Sequence, residues 1–186
     1  EADGLSGLII DKFADVFVVE PYSAGYIGIM EWIASSLQSL YPGSRIVVRP
    51  DERIAVKEGA DFSKVAKAYP SPDFIEISEN LLRMKVNLKT GHKTGFFLDQ
   101  RENRFVLSEY CRGREVLDCF CYTGGFAISA MLAGAKSATG IDLDEKALET
   151  AQENAQLNAV KVTFQHVNVF DYLRTMISKG VQADVV

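Results

Sequence analysis

The chain has 186 residues, 47% hydrophobic and 24% charged, which suits one large globular domain or two small ones. Its net charge of −5 argues against a protein that holds nucleic acid by bulk electrostatics, although it leaves room for a local basic face. No apolar run is long enough to cross a bilayer and no basic-then-apolar leader opens the sequence, so a soluble, cytoplasmic protein with no membrane association is expected. The three cysteines, Cys111, Cys119 and Cys121, have no metal-ligand spacing and fit a reducing compartment, and no metal site is expected. The sequence opens on Glu1 without a Met and stops at Val186 in what reads as mid-strand, so it is expected to be a segment of a longer protein.

Residues 8–20 are two β-rich runs around a polar turn and predict a hairpin. After Pro21, the spacing of Tyr26, Met30, Ile33, Leu37 and Leu40 predicts a helix with these residues facing the core, stopped by Pro42-Gly43. Residues 45–49 read as a strand limited by Pro50. Residues 51–72 are mixed in charge without strong periodicity, and a loop with one helical turn is expected there. Residues 74–77 and 82–88 flank Ser78-Glu79-Asn80 and predict a second hairpin. In its later arm Leu82, Met84, Val86 and Leu88 alternate with Arg83, Lys85, Asn87 and Lys89, giving one core face and one basic face. Residues 1–90 are therefore expected to form a small α+β domain.

From residue 91 the rhythm changes, and 91–186 reads as a second domain. Residues 90–101, Thr-Gly-His-Lys-Thr-Gly-Phe-Phe-Leu-Asp-Gln-Arg, form a loop running into a helix that closes near Gly113. Strands at 115–118, 137–142 and 161–165 then alternate with helices at 125–133, 145–157 and 169–179. The inward residues of the last two helices are expected to be Ala147, Leu148, Ala151 and Ala155, then Phe170, Leu173 and Ile177, with Gly134 and Gly180 at helix ends. Asp184-Val185-Val186 would begin a fourth strand. The fold class is thus α/β, the N-terminal half of a doubly wound, Rossmann-like sheet preceded by the small α+β domain. A sheet cut at that point leaves apolar surface and an open edge, so the chain is expected to self-associate or to order poorly after about residue 160.

The stretch 116–126, Val-Leu-Asp-Cys-Phe-Cys-Tyr-Thr-Gly-Gly-Phe, is strand, tight turn and helix in that order. This places free N–H groups and the positive end of a helix at the strand's mouth, where a nucleotide-like ligand fits. A dinucleotide fingerprint needs Gly-x-Gly-x-x-Gly directly after the strand; here five residues separate Asp118 from Gly124-Gly125, which disfavours NAD. No Gly-Lys-Ser/Thr occurs, so there is no P-loop. S-adenosylmethionine has no pyrophosphate to cradle and fits what remains. Its ammonium would sit near Asp118, its ribose diol on Asp142 at the end of the second strand, and its adenine over Leu143. Asp144 reads as the cap of the following helix.

Residues 118–126, with 90–101 upstream, resemble the class I S-adenosylmethionine-dependent methyltransferases. More narrowly, nearly the whole chain resembles the bacterial 23S ribosomal RNA 5-methylcytosine methyltransferases, in which an RNA-binding PUA domain and a small strand–helix domain precede the methyltransferase domain. The resemblance implies ribosomal RNA as substrate and a loop at 94–101 that closes over the methionine end of the cofactor. Thr94 lies in that loop, and Phe97 and Gln100 are its expected contacts, holding the sulfonium together with Tyr122 beside the Gly124 turn. Asn168 and Val169 would meet adenine; related sequences usually carry Asp at the Asn168 position, so an uncharged and weaker contact is expected here. The resemblance also places an Asp-Pro-Pro motif and the catalytic cysteine after Val186, so no catalytic residue is expected within this chain.

Methylating C5 of cytosine needs a thiolate at C6 and a base for the C5 proton. Cys119 and Cys121 lie in or just after a buried strand and read as packing. His92 is read as a loop hydrogen-bonder or phosphate contact and His166 as structural. Arg83, Lys85 and Lys89 with Lys93 are a candidate approach to RNA phosphates, or else a solvated sheet face. A non-catalytic cofactor- or RNA-binding module, or a methyltransferase of the same family with another substrate, are the alternative readings.

Overall fold

A computed structural model describes residues 4–89 and 91–186. Thr90, which opens the 90–101 stretch, and the first three residues of the 1–90 domain lie outside the described residues. The chain forms two compact units, one running to Ile75 and including Val86–Phe97, the other comprising Glu76–Lys85 and Leu98–Val186. This grouping differs from a division at residue 90 at the hairpin tip and at residues 91–97.

In the first unit, β1 (Leu8–Phe13) and β2 (Val16–Pro21) form the expected antiparallel hairpin, and β2 pairs in parallel with β3 (Arg45–Val48). The crossover between β2 and β3 is a 3-10 segment, Ala24–Ile29, followed by α1 (Met30–Leu40). Met30, Ile33 and Ala34 pack against Phe17, Val19, Ile46 and Val48, with Tyr26 and Leu37 partly buried at the margin. Leu40, expected on this face, is 73% exposed. Tyr41, itself 48% exposed, lays its ring 5.1 Å from that of Phe17. Residues 51–72 hold two helices rather than one turn: α2 (Glu52–Glu58), capped by Asp51 and closed by left-handed Gly59, and α3 (Ser63–Ala68). Helices of fewer than two turns are too short to display a hydrophobic period.

The second hairpin is β4 (Phe74–Glu79) and β5 (Leu82–Asn87), with Leu82, Met84, Val86 and Leu88 buried as the alternation predicted. Its outward cations do not form a bare basic face. Arg83 pairs with Glu76 at 2.7 Å, Lys85 with Glu153 at 2.6 Å, and Lys89 with Asp73. The hairpin tip joins the second unit because Glu79 meets Arg104 there. Residues 91–93 stay with the first unit because Arg49, paired with Glu20 at 2.9 Å, donates to the carbonyls of Leu88, Gly91 and Lys93.

The second unit enters through a 3-10 turn, Leu98–Gln100, and α4 (Arg101–Glu109). It continues as β6 (Glu115–Cys119), α5 (Gly125–Leu132), β7 (Ser137–Asp142), α6 (Glu145–Leu157), β8 (Thr163–His166) and α7 (Val169–Lys179). The three strands are parallel in the order β6-β7-β8, and Val185 bridges in parallel to Val116. β6 therefore stands where the chain order reverses. Val116 packs with Ala127, Ala130, Ala135, Ala138 and Cys111, whereas its neighbour Leu117 packs with Ile141 and Val169. Alternate residues of one strand thus serve two helical layers.

On α7 the inward face is Val169 with Tyr172, Leu173 and Met176 partly buried; Phe170 and Ile177, expected inside, are exposed. The stripe is anchored one residue earlier than the pattern suggested, because Val169 at the first position is already in the core. Among the described residues no helix is long and apolar enough to cross a membrane. Among the same residues, no group of His, Cys, Asp or Glu side chains could hold a metal ion.

Candidate cofactor site

In an open parallel sheet the ligand position lies beyond the carboxyl ends of the strands where the strand order reverses. Here that position is the end of β6. Asp118, opposite Gly140 on β7, accepts from the N–H of Ala127 in the first turn of α5 at 3.0 Å. Burial pushes its carboxyl up to about 7, and the negative charge of Asp142 adds to the rise. One backbone N–H is the only hydrogen bond found for this carboxylate among the described residues.

Asp142 ends β7 and is held by three backbone N–H groups: Tyr122 at 2.8 Å on one oxygen, and Leu143 at 2.7 Å and Asp144 at 3.0 Å on the other. A carboxylate has about four acceptor positions, so roughly one is left for a ligand hydroxyl. Asp142 is thus oriented by the turn it faces, and its capacity for a two-point grip on a diol is mostly spent on the backbone.

The turn between them has an unexpected backbone. Phe120, Tyr122 and Gly124 are left-handed, with φ of +62°, +50° and +82°. A β-carbon on Gly124 would lie 2.8 Å from the ring of Phe164, so glycine is required there on two counts. The other two positions do without glycine, at a cost on the order of 1–2 kcal/mol each. Counting glycines in the sequence saw one of three left-handed positions. Phe120, which sequence reasoning passed over, is 62% exposed with its ring edge-on to Phe170 at 6.0 Å. No local signal in the sequence marks it, since an aromatic residue in this conformation is held there by its surroundings.

The remaining expected residues sit as follows. Leu143 is exposed beside Asp142, its carbonyl 2.9 Å from His166 Nε2, which gives His166 a structural contact. Asp144 caps α6 by accepting from Ala147, as expected. Asn168 caps α7, its amide oxygen accepting from the N–H groups of Phe170 and Asp171 at 2.9 and 3.3 Å. That commits the oxygen expected to meet adenine, and the face Asn168 can turn to a ligand is its NH2 donor. Val169 is in the core, so its backbone rather than its side chain is what could be offered.

Gln100 lies at the start of α4, accepting from Asn103 at 2.9 Å. Thr94 and Phe97 belong to the first unit. There Thr94 is buried and donates to Asp11 at 2.5 Å, and Phe97 is half-buried under the Lys93 ammonium at 4.6 Å. Asp118, Tyr122, Gly124 and Asp142 are the expected residues that direct hydrogen bonds and a single turn bring together. Cys119 and Cys121 are packing residues: burial raises both thiols, and the charges of Asp118 and, for Cys121, Asp142 raise them further.

The family model described as S-adenosylmethionine-dependent methyltransferase matches residues 65–180. The chain belongs to this family. Among curated relatives, the ribosomal RNA large subunit methyltransferase I of Aeromonas salmonicida is 40% identical over 190 residues, covering 100% of this chain and 48% of that protein. The protein of the same name from Pseudoalteromonas atlantica is 43% identical over 177 residues, covering 94% and 45%. The chain thus spans about half the length of these relatives.

Two solved structures share its fold. SMU.776, complexed with SAH, superposes with a TM-score of 0.81 at 23% identity, over 98% of this chain and 48% of the other. The SAM-dependent methyltransferase of Agrobacterium tumefaciens superposes with a TM-score of 0.67 at 19% identity, over 97% and 56%. At such identities the likeness speaks for the fold.

Proposed function

We propose that this chain is the cofactor-binding part of a cytoplasmic enzyme that methylates C5 of a cytosine in large-subunit ribosomal RNA. The observation that carries the cofactor assignment is the carboxylate pair Asp118 and Asp142 at the mouth of the sheet. Both are bonded by backbone N–H groups, and no cation meets either among the described residues. S-adenosylmethionine fits this chemistry: it brings a cationic amino group, a ribose diol and, when bound, an electrophilic methyl group on sulfur.

In this reading Asp118 receives the ammonium and Asp142 one ribose hydroxyl. Leu143 lies against adenine, and Asn168 donates its amide N–H towards it. Val169 and Gly124 present backbone, and Gln100 and Tyr122 line the methionine end. The substrate assignment rests on the resemblance of the 118–126 and 90–101 motifs and on the names of the relatives. The attacking thiolate is assigned to residues outside this chain, since raised, packed thiols such as Cys119 and Cys121 are poor nucleophiles.

Calorimetric titration of S-adenosylhomocysteine into this chain and into Asp142→Ala tests the site, and equal affinities would overturn it. The reaction is tested with the longer protein on large-subunit rRNA, digesting the product to nucleosides. The methyl group is expected in 5-methylcytidine. Its appearance in another nucleoside would replace the substrate assignment and leave the cofactor site standing.

A further inference from the structure

Helix α6 carries Asn154 and is capped one turn later by Asn158, two asparagines that no expected role absorbs. Asn158 closes on the backbone of Arg83, accepting from its N–H at 2.9 Å and donating to its carbonyl at 2.6 Å. Asn154 is fully buried. Its amide oxygen accepts from the N–H of Lys85 at 2.7 Å, and its NH2 donates to the carbonyl of Thr123 at 3.2 Å. The two side chains together seal the free edge of β5, as a neighbouring strand would. Asn154 alone continues past the hairpin into the turn 120–124.

Asparagine is a poor helix former, and burying a primary amide is costly unless its hydrogen bonds are made. Leu or Ala would serve helix and core better at this position, so the cost points to what the amide connects. Thr123 stands between two left-handed residues, Tyr122 and Gly124. Tyr122 places its N–H on Asp142, and Gly124 donates to the carbonyl of Cys121 at 2.8 Å. Fixing the Thr123 carbonyl fixes its own peptide, which carries the Gly124 N–H, and so constrains the short turn that begins with the Tyr122 N–H held on Asp142. Buttressing from below comes from Phe164, whose ring lies where a β-carbon on Gly124 would fall. Lateral placement comes from Asn154.

We propose that Asn154 is a positioning residue for the cofactor turn, setting Tyr122–Gly124 against the backbone of the hairpin tip at Lys85, within the same unit, so that the two move as one body. This rests on the assignment of that turn to the cofactor.

Asn154→Asp keeps the acceptor for Lys85 and, once ionised, removes the donor to Thr123, because a carboxylate only accepts. Burial favours the protonated acid, which still donates, so the readouts are compared at pH 6 and pH 9. Asn158→Asp is the matched control at the end of the same helix: its NH2 also donates to the backbone carbonyl of Asn154 at 2.7 Å, but it makes no bond to the turn. Two readouts are taken on this chain: the amide proton–nitrogen spectrum without ligand, and the affinity for S-adenosylhomocysteine. Asn154→Asp is expected to shift the amides of Tyr122, Thr123 and Gly124 and to weaken binding by about tenfold, the scale of one lost hydrogen bond. At a similar loss of thermal stability, Asn158→Asp is expected to leave both unchanged.

If Asn154→Asp does not fold, Asn154→Ser, small and uncharged, carries the same expectations. Turn amides that stay put in the Asn154 variants, or that shift equally in Asn158→Asp, overturn the role of Asn154. A parent chain with no affinity for S-adenosylhomocysteine overturns the cofactor assignment instead, and the amide shifts then report on Asn154 independently.

Discussion

Two acids in the second unit, Glu79 buried and Asp118 half-buried, are treated in opposite ways. At the hairpin tip, Glu79 receives Arg104 through both its oxygens, at 2.7 and 2.6 Å, and the guanidinium also lies over the ring of Phe126 at 5.9 Å. At the mouth of β6, Asp118 has one amide N–H for a partner and a second acid, Asp142, for a neighbour. The first carboxylate is neutralised within the fold. The second is left near 7, half its charge undecided at neutral pH. The structural pair is completed by the chain itself, whereas the acid proposed to receive a ligand is left incomplete. Glu20 in the first unit follows the structural pattern, with Arg49 and the hydroxyl of Tyr22 on its two oxygens.

The largest expected effect comes from breaking the completed pair. Arg104→Ala strands Glu79 in a buried position and should cost about 3–5 kcal/mol in urea unfolding. Arg104→Met with Glu79→Leu should recover most of that loss. A single variant within 1 kcal/mol of the parent, roughly the worth of an exposed pair, would mean that water reaches Glu79.

Asp118→Asn should act in the opposite sense on stability and reduce affinity for S-adenosylhomocysteine about ten- to hundredfold, the worth of a hydrogen bond to a charged group. Its melting temperature at pH 8 should rise above the parent's, since an uncompensated charge has been removed. A fall in both quantities would count against the contrast drawn here.

The pH dependence sharpens the same point. Asp118 titrates near 7 when folded and at its ordinary value of 3.8 when unfolded. The folded chain therefore holds the extra proton between those values, and its contribution to stability is present below pH 4 and lost as pH rises towards 7. Affinity for a cationic ligand should run the other way, strengthening from pH 6 to pH 8 as the carboxylate ionises. Both slopes should flatten in Asp118→Asn, as followed by thermal melts and calorimetry across that range.

Smaller again is the loss of the α7 cap. Asn168→Ala should cost about 1 kcal/mol, and Asn168→Asp should restore it because the capping atom is the oxygen. Smallest of all, Lys85→Met should change stability by less than about 1 kcal/mol, since its ion pair with Glu153 is solvent-screened.

Much of this arrangement was legible in residues alone. Strand–helix alternation predicted the parallel sheet, and the helices at 145–157 and 169–179 run over those residues. Asp144 and Gly180 mark ends of those helices by their own chemistry. Asp118 and Asp142 follow from their places at strand ends. These are short-range signals, in which a side chain bonds its own neighbourhood or repeats with the period of its element.

What only the tertiary structure decided is of another kind. It placed Arg104 on Glu79, and Asn154 between Lys85 and Thr123, partners 25, 69 and 31 positions apart. It held Phe120 and Tyr122 in a conformation their own preferences oppose. It turned α7 so that Val169, and not Phe170, enters the core. Sequence periodicity assigns a residue to an element and a face. Which distant polar group waits on that face, and whether a strained backbone is repaid, is set by packing that exists only once the sheet has closed over its helices.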